Sequence, residues 1–308
     1  MRSNELSQTM STNPSSPKQR LAASEPVAAA ITAPGQATLI LEAGRADRNY
    51  WADLWRFREL FAILAWRDVA VQYKQTVIGI AWALVRPLLT TLIFTGLFSR
   101  IARLPSEGTT PYPLMVMAGM LPWFLFSTIL TSASGSLTTN SNLISKVYFP
   151  RLIVPAASAA VAMVDFMITL AILFGLMAVY GFAPSWHVIA LPLFVMLVIV
   201  AALGPAFMMA ALSVRYRDFR FIVPFFVQFG LYVSPVGFSS KVVPESWRMI
   251  YALNPMVGII DGFRWCLLGG NAQLDLTNLA IGLVVTLVFL WLGIRTFRAT
   301  EKTFADLV

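Results

Sequence analysis

Long apolar segments recur along most of the chain, and they limit its fold more strongly than any other feature. The segment at 187–213 reads HVIALPLFVMLVIVAALGPAFMMAALS and holds no Lys, Arg, Asp or Glu. A helix needs about 20 mostly apolar residues to cross the hydrocarbon core of a bilayer. Of the 308 residues, 57% are hydrophobic and 12% are charged, whereas a soluble domain carries about 25% charged residues. The sequence therefore predicts an all-α integral membrane protein.

Six segments are apolar and long enough to be predicted as transmembrane helices. Their bounds are about 78–101, 112–137, 152–180, 187–213, 220–238 and 275–296. Between the last two, residues 239–274 are moderately apolar but are interrupted by Pro244, Pro255 and Gly269-Gly270. This segment predicts two short re-entrant helices that enter the membrane from one side, which requires that they be buried in protein or line a cavity.

The segments that flank the spans are more polar. Residues 1–50 are rich in Ser, Ala, Pro and Gln without periodicity, and they are predicted to form a disordered tail. Residues 51–75 are predicted as an interface helix, residues 76–298 as the transmembrane domain, and residues 299–308 as a short C-terminal tail.

The interface helix is inferred from DLWRFRELFAILAWRDVAVQYK at residues 53–74. Apolar residues recur there at helical spacing, and charged residues lie on the other side. The apolar set is Phe57, Phe61, Leu64 and Val71, and the charged set is Arg56, Glu59 and Arg67. This pattern predicts an amphipathic helix in the membrane interface. The alternative is an ordinary surface helix that packs on the spans.

Basic residues are distributed unequally between the two sides of the predicted spans. With an even number of spans both termini face the same side, and that side carries Arg56, Arg58, Arg67, Lys74, Arg86, Lys146, Arg151, Arg215, Arg217, Arg220, Arg295, Arg298 and Lys302. The opposite side carries Arg100, Arg103, Lys241, Arg248 and Arg264. The positive-inside rule therefore predicts cytoplasmic termini. It also accounts for the net charge of +8 without a nucleic-acid partner.

The sequence lacks the motifs of several common catalytic sites. No GxxxxGK[ST], HExxH or GxSxG motif is present, and the one cysteine, Cys266, excludes an intrachain disulfide. Asp165 lies in the middle of a predicted span, where a charge costs about 2.5–3.5 kcal/mol on insertion scales. It is interpreted either as a proton or substrate site or, in preference, as a packing residue with a polar partner.

Two other classes of membrane protein fit the residues less well. A membrane glycosyl- or acyltransferase needs a cluster of His or acidic residues near one membrane face, and the chain has one histidine, His187, and the lone Asp165. A secondary transporter usually has repeated halves and charged residues along an ion path within the membrane. Neither pattern is found in the sequence.

One short loop combines basic and aromatic residues. Residues 141–155 read SNLISKVYFPRLIVP and lie between the second and third predicted spans, on the cytoplasmic side. The positive-inside rule explains Lys146 and Arg151 but not the neighbouring Tyr148 and Phe149. The loop therefore raises the question of what docks onto it.

Aromatic residues share helix faces on two of the predicted spans. Phe94 and Phe98 are four residues apart on the first span, and Phe225, Phe229 and Tyr232 follow helical spacing on the fifth. Single aromatic residues of this kind more often face lipid or pack between helices. The alternative is a pore lined by flat rings, on which the apolar faces of sugar rings stack while their hydroxyls stay hydrated. The pattern leaves both interpretations open.

Four segments carry a resemblance to a known family. They are WRDVAVQYKQTVIGIAWALVRPLL at 66–89, the loop at 141–155, RYRDF at 215–219, and NPM with DGFRW within 254–265. In order and spacing these segments closely resemble the membrane subunit of ABC-2-type polysaccharide exporters. The resemblance extends over most of residues 53–298.

The resemblance implies a function and a set of partners. It implies a permease that moves lipid-linked polysaccharide outward across the bacterial inner membrane, with O-antigen as the first candidate and capsule or teichoic acid as alternatives. It also implies a homodimer with the pore between the two copies, and two copies of a separate ATPase. This chain would bind no cofactor and catalyse no reaction, because ATP and Mg are held by the ATPase.

The resemblance further implies three sets of functional residues. The cytoplasmic loop would be a coupling helix in a cleft of the ATPase, formed by Asn142, Leu143, Ile144, Lys146, Tyr148, Phe149 and Arg151. Its apolar side chains would fill a groove, its basic side chains would contact the rim, and residues 53–74 would help to contact the ATPase. The substrate channel would be lined by Phe94, Phe98, Phe225, Phe229 and Tyr232. Residues 239–274 would form a periplasmic gate that includes Trp247, Arg248, Asn254, Pro255 and Arg264.

Overall fold

The computed structural model describes residues 50–74, 77–147, 149–216, 218–269 and 274–301, without the side chains of residues 77–80, 82 and 220. All secondary structure in this part of the chain is helical. The α-helices are α1 Tyr50–Arg56, α2 Arg58–Lys74, α3 Val77–Thr95, α4 Tyr112–Thr139, α5 Ser141–Lys146, α6 Ile153–Val179, α7 Leu191–Arg215, α8 Phe219–Val233, α9 Glu245–Tyr251, α10 Pro255–Leu268 and α11 Leu276–Glu301. A π-helical turn, Gly96–Ile101, extends α3, and 3-10 turns occupy Trp186–Ala190 and Ser240–Val242. Apart from Tyr50, the predicted N-terminal tail lies outside the described residues, as do residues 302–308 of the predicted C-terminal tail.

Five helical segments within the described residues are long and apolar enough to cross a membrane. They are Ala83–Ile101, Tyr112–Thr139, Ile153–Val179, Trp186–Arg215 and Leu276–Glu301. Each of them overlaps one of the six predicted spans. The sequence therefore identified the position of these five segments correctly.

The other predicted span, 220–238, contains α8, which has only 15 residues. At 1.5 Å per residue, α8 is about 22 Å long and shorter than the roughly 30 Å hydrocarbon core of a bilayer. The helix ends at Val233 because Ser234 precedes a proline, Pro235, which disfavours the helical conformation of the residue before it. Ser234 is accordingly extended, with ψ 149°. A sixth complete span stays a prediction.

Helix α4 lies at the centre of the bundle, where it contacts α3, α6, α7, α8 and α10. Its residues 114–121 are all buried, and they are apolar apart from the small Gly119. A helix that is apolar on every side belongs in a protein interior. The other long helices surround α4, and more of their surface is left exposed for lipid or a further subunit.

Helices α7 and α11 approach so closely that their backbones touch. A Cβ atom added to Gly293 would lie 2.0 Å from the carbonyl oxygen of Gly204, and one added to Gly204 would lie 2.7 Å from the backbone nitrogen of Leu290. Small residues permit this close approach of helices in membrane proteins. The two helices therefore form one tightly packed pair.

A second apolar cluster, which we call the cytoplasmic core, gathers helix ends at the predicted cytoplasmic side. Its buried members are Tyr50, Leu64, Leu137, Ile144, Phe149, Leu152, Ile153, Val154, Ala157, Phe207, Ala210, Ala211 and Phe297. They come from α1, α2, the loop after α4, and the adjacent ends of α4, α6, α7 and α11. The loop is thus packed into the body of the protein.

The predicted interface helix is divided into α1 and α2, and it does not separate an apolar face from a charged one. Leu64 is buried and Phe57 is partly buried in the cytoplasmic core, whereas Phe61 and Val71 are exposed, as is Trp66. Apolar side chains therefore point both toward the bundle and away from it. Because α2 packs along α6, the alternative of a surface helix packed on the spans describes these contacts better.

Residues 234–269 form what we call the outer segment, and they contain the short helices α9 and α10. Asn254 begins α10 by accepting a hydrogen bond from the Met256 N–H at 3.0 Å, and Pro255 occupies the first helical position, where its missing N–H costs nothing. Gly269 ends α10 with φ +74°, a conformation that suits glycine. Two short helices separated at Asn254-Pro255 are therefore present, while their entry into the membrane and their role as a gate stay predictions.

Candidate functional site

The loop after α4 buries two of the side chains that are predicted to enter an ATPase groove. Ile144 and Phe149 are each only 4% exposed, and both belong to the cytoplasmic core. Leu143 is partly buried against the same core, and Tyr148 lies outside the described residues. In this chain Ile144 and Phe149 pack onto the bundle, and their contact with an ATPase groove stays a prediction.

The exposed side of the loop is a short ridge formed by Asn142, Ser145, Lys146 and Val147, which we call the coupling ridge. On α5, Ser145 and Lys146 lie three and four residues after Asn142, so each shares a helix face with it. Val147, which follows α5, is 50% exposed. Ser145 and Val147 were not predicted as site residues, although the helical spacing from Asn142 could have indicated Ser145.

Arg151 is partly buried and binds α11. Its backbone N–H donates a hydrogen bond to Oε1 of Glu301 at 2.9 Å, and its guanidinium donates to the backbone carbonyl of Glu301. Glu301 is the last described residue of α11. Arg151 thus has an internal contact, and its contact with the ATPase rim stays a prediction.

Two polar contacts attach α2 to the bundle. The Arg67 guanidinium donates to Oδ1 of Asn140, just before α5, at 2.7 Å and to Oδ1 of Asp68 at 2.8 Å. The Tyr73 hydroxyl donates a short hydrogen bond to Oδ1 of Asp165. Burial, and then Asp165, raise the pKa of Tyr73 above its usual value. Asp165 thus has the polar packing partner that was preferred in the sequence analysis.

The two predicted sets of channel aromatics lie in different environments. Phe94 is 8% exposed, and its ring centre is 5.5 Å from that of the partly buried Phe98. A Cβ atom at Gly237 would lie 2.5 Å from the Phe98 ring and 2.9 Å from the Phe94 ring. The outer segment thus covers both rings, and they would line a channel only if that segment moved away.

The aromatic residues of α8 are exposed along one face of the helix. Phe225, Phe229 and Tyr232 are 66%, 58% and 60% exposed, and the rings of Phe225 and Phe229 are stacked with centres 6.3 Å apart. Phe221 and Phe226, which were not predicted, are also exposed. We call these five residues the α8 aromatic face, and they leave an apolar surface that this single chain does not cover.

Arg264 lies in the interior, not at the mouth of a gate. It is 0% exposed, and its Nη1 is 3.6 Å from Oε1 of Glu107. Its guanidinium also donates hydrogen bonds to the backbone carbonyls of Met115 at 3.3 Å, Phe238 at 2.9 Å and Val236 at 3.0 Å. The guanidinium therefore ties α10 to α4 and to residues 236–238 at the start of the outer segment. Because Arg264 is fully buried, its predicted contact with passing substrate is corrected.

The remaining predicted gate residues have separate roles. Trp247 is 61% exposed, Arg248 pairs with Glu245 at 3.3 Å on the surface of α9, and Asn254 with Pro255 begins α10. Trp247 and Asn254 also line a small apolar cleft of about 200 Å³, together with Val233, Val243, Ile250 and Tyr251. Burial raises the pKa of the Tyr251 phenol above its usual value.

Glu107 and Asp261 are buried acidic residues that the sequence analysis did not select. Glu107 and Asp261 are 8% and 5% exposed, and Asp261 precedes Arg264 by about one helical turn on α10. For Asp261, a charged residue among apolar neighbours was the available signal, whereas only the fold shows that Glu107 pairs with Arg264. Within the described residues, no group of three or more His, Cys, Asp or Glu side chains is arranged to hold a metal ion.

Comparison with known proteins identifies the family of this fold. Residues 59–268, more than half of the chain, match the family model described as ABC-2 type transporter. The chain is 27% identical over 256 residues to the O-antigen export system permease protein RfbA of Myxococcus xanthus, covering 82% of this chain and 97% of that protein. It is 24% identical over 254 residues to the protein of the same name from Klebsiella pneumoniae, with coverages of 81% and 95%.

A further relative is the polysialic acid transport protein KpsM of Escherichia coli. Its identity is 22% over 242 residues, which cover 77% of this chain and 91% of that protein. The region matched by the family model contains the coupling ridge, α8 and almost all of the outer segment. The chain belongs to the ABC-2 type transporter family.

Proposed function

We propose that this chain is the transmembrane permease subunit of an ABC transporter that exports a lipid-linked polysaccharide across the bacterial inner membrane. A separate ATPase, in two copies, would drive a homodimer of this chain. Family membership supports the proposal, and the structural observation that carries it is the coupling ridge. A short exposed surface at one end of the helical bundle is joined to α4 and α6 on either side.

The two sides of the loop have complementary properties for a contact that transmits force. The buried side places Ile144 and Phe149 in the cytoplasmic core, so the loop cannot shift without moving that core. The exposed side offers the charge of Lys146 and the apolar surface of Val147. We infer that the ATPase contacts the ridge, while the buried aromatic and aliphatic residues transmit its motion to the bundle.

The α8 aromatic face is the proposed lining of the substrate path. Exposed apolar patches of this kind mark contact surfaces when they are continuous, and aromatic rings stack on the apolar faces of sugar rings. In a homodimer, this face would meet the pore between the two copies. Phe94 and Phe98 would join the lining when the outer segment opens, which is consistent with a gate at that end.

O-antigen is the substrate proposed first, and a capsular polysaccharide second. The two relatives named as O-antigen export permeases are 27% and 24% identical to this chain, and the relative named for polysialic acid transport is 22% identical over a smaller share of it. We also propose that α8 and residues 234–238 together complete a sixth span. The orientation then places both termini and the coupling ridge in the cytoplasm.

The ridge is tested by a charge-reversing variant that leaves the cytoplasmic core intact. Lys146→Glu with Val147→Asp should lower the amount of candidate ATPase that copurifies with the tagged chain by at least about tenfold. The two new carboxylates would be buried in the interface next to like charges or without a partner of opposite charge. The matched control, Lys241→Glu on the outer segment, should retain the ATPase. If the ridge variant copurifies with a normal amount of ATPase, the ridge is not part of the contact. If wild type copurifies with no ATPase, the result opposes the exporter proposal.

The substrate is tested in a strain that lacks its own O-antigen permease. Coexpression of this chain with its ATPase should restore surface lipopolysaccharide with long glycan chains, as seen on a gel of cell-surface material. Restoration of a capsule in a capsule-permease mutant, without restoration of O-antigen, would favour the second substrate.

A further inference from the structure

Near the end of the described part of α11, Glu301 binds the loop after α4. Both the Oε1 atom and the backbone carbonyl of Glu301 accept hydrogen bonds from Arg151, one from its N–H at 2.9 Å and one from its guanidinium. The side chain and the backbone carbonyl of Glu301 therefore bind the same loop residue. Charge-assisted pairs of this kind are stronger than neutral hydrogen bonds.

Tyr50, the first described residue of α1, lies beside Glu301 and Arg298 of α11. Tyr50 is 8% exposed, and burial, then the neighbouring Glu301 carboxylate, raise the pKa of its phenol. The guanidinium carbon of Arg298, one turn before Glu301, lies 4.8 Å from the centre of the Tyr50 ring. Residues from α1, the loop and α11 thus meet at Glu301.

Apolar packing surrounds this polar contact. Phe149 and Leu152 of the loop, Tyr50 of α1 and Phe297 of α11 all belong to the cytoplasmic core. The Phe297 ring meets that of Phe207 on α7 edge to face, with ring centres 6.0 Å apart. Arg151 and Glu301 are themselves partly buried, so solvent competes less with their hydrogen bonds than it would at an exposed site.

From these contacts we propose that Glu301 is a positioning residue that clamps the loop at Arg151 to α11, so that displacement of the coupling ridge moves α11 as well as the adjoining α4 and α6. The inference rests on the proposed function, since it assigns a route for the motion that the ATPase would supply. The backbone contact between Gly293 and Gly204 extends the route from α11 to α7. The loop and α11 also share the apolar contacts of the cytoplasmic core.

Hydrogen–deuterium exchange of the purified full-length chain in lipid nanodiscs tests the clamp without any ATPase. In Glu301→Ala, peptides that contain Arg151 should exchange about tenfold faster, because the Arg151 N–H loses a charged acceptor. Glu301→Gln keeps an oxygen acceptor of the same shape and should restore most of the protection. The control, Glu245→Ala, removes an exposed acidic residue on α9 and should leave exchange at the loop unchanged.

The second measurement uses the chain with its ATPase. Glu301→Ala should still recover the ATPase, because the coupling ridge is intact, but less glycan should be exported per ATP hydrolysed. Unchanged exchange at Arg151 overturns the clamp, and faster exchange with unchanged export per ATP overturns its role in coupling. If wild type recovers no ATPase, the exporter proposal fails, while the exchange comparison still supports or overturns the clamp.

Discussion

Charged side chains inside this bundle contact residues from distant parts of the sequence. The buried Arg264 on α10 meets the buried Glu107, which precedes α4, and the partly buried Asp165 on α6 accepts a hydrogen bond from Tyr73 on α2. Removing one partner of a buried pair leaves the other charge without compensation, which is more destabilising than never having formed the pair. These residues are therefore expected to matter for stability rather than for contact with substrate.

Replacement of Arg264 by alanine should lower the free energy of unfolding by about 3–5 kcal/mol, because Glu107 and three backbone carbonyls would lose their partner. The single cysteine, Cys266, is fully buried, so the temperature at which a thiol reagent labels it reports opening of this region. In Arg248→Ala, a change on the exposed surface of the neighbouring helix, Cys266 should be labelled at the same temperature as in wild type. Equal labelling temperatures for both variants would show that Arg264 does not stabilise the outer segment.

At the scale of elements, helix packing depends on where glycine lies rather than on how many glycines a helix contains. Gly293 on α11 touches the backbone of α7 at Gly204, whereas a Cβ atom at Gly175 on α6 would meet nothing within 4 Å. Both residues lie inside apolar helices and look alike in sequence. The contact with a second helix decides whether a methyl group is tolerated.

Gly293→Ala should destabilise the protein by about 1–3 kcal/mol, because overpacking forces the two backbones apart. Gly175→Ala should be neutral or stabilise the protein by up to about 1 kcal/mol, because alanine favours the helix more than glycine does. Thermal unfolding in detergent, followed by Cys266 labelling, measures both. A Gly293→Ala protein as stable as Gly175→Ala would contradict the close packing of α7 with α11.

At the scale of the whole molecule, the described residues form one helical bundle with two exposed ends. The coupling ridge lies at the end that also gathers α1, α2 and the last turn of α11, and the outer segment follows α8 at the other end of the proposed topology. The distribution of basic residues favours the ridge end as the cytoplasmic one. If α8 and residues 234–238 cross the membrane, the outer segment then lies on the side opposite to the ridge.

Single cysteines at the two ends should be labelled from opposite sides of the membrane. In intact spheroplasts, an impermeant maleimide should label Glu245→Cys and not Ser145→Cys, and lysis should expose the latter. The native Cys266 is fully buried, so it should add little background. Labelling of Ser145→Cys from outside would contradict the proposed orientation. Labelling of both cysteines from one side would show that α8 and residues 234–238 do not cross the membrane.

The sequence by itself determined the features that depend on local composition and local chemistry. Five spans follow from runs of about 20 apolar residues, and the start of α10 follows from an Asn254 cap beside Pro255. The early end of α8 was also encoded locally, in Pro235. Four matching segments in order were enough to indicate the family.

Tertiary structure alone decided which of these residues are available for contact. Ile144 and Phe149 resemble docking residues in sequence, yet the ends of α1, α2, α7 and α11 bury them in the cytoplasmic core. Arg264 resembles a surface cation, yet Glu107 and three carbonyls enclose it. The physical reason is that burial depends on neighbours separated by tens to hundreds of residues, whereas periodicity and composition describe only neighbours along the chain.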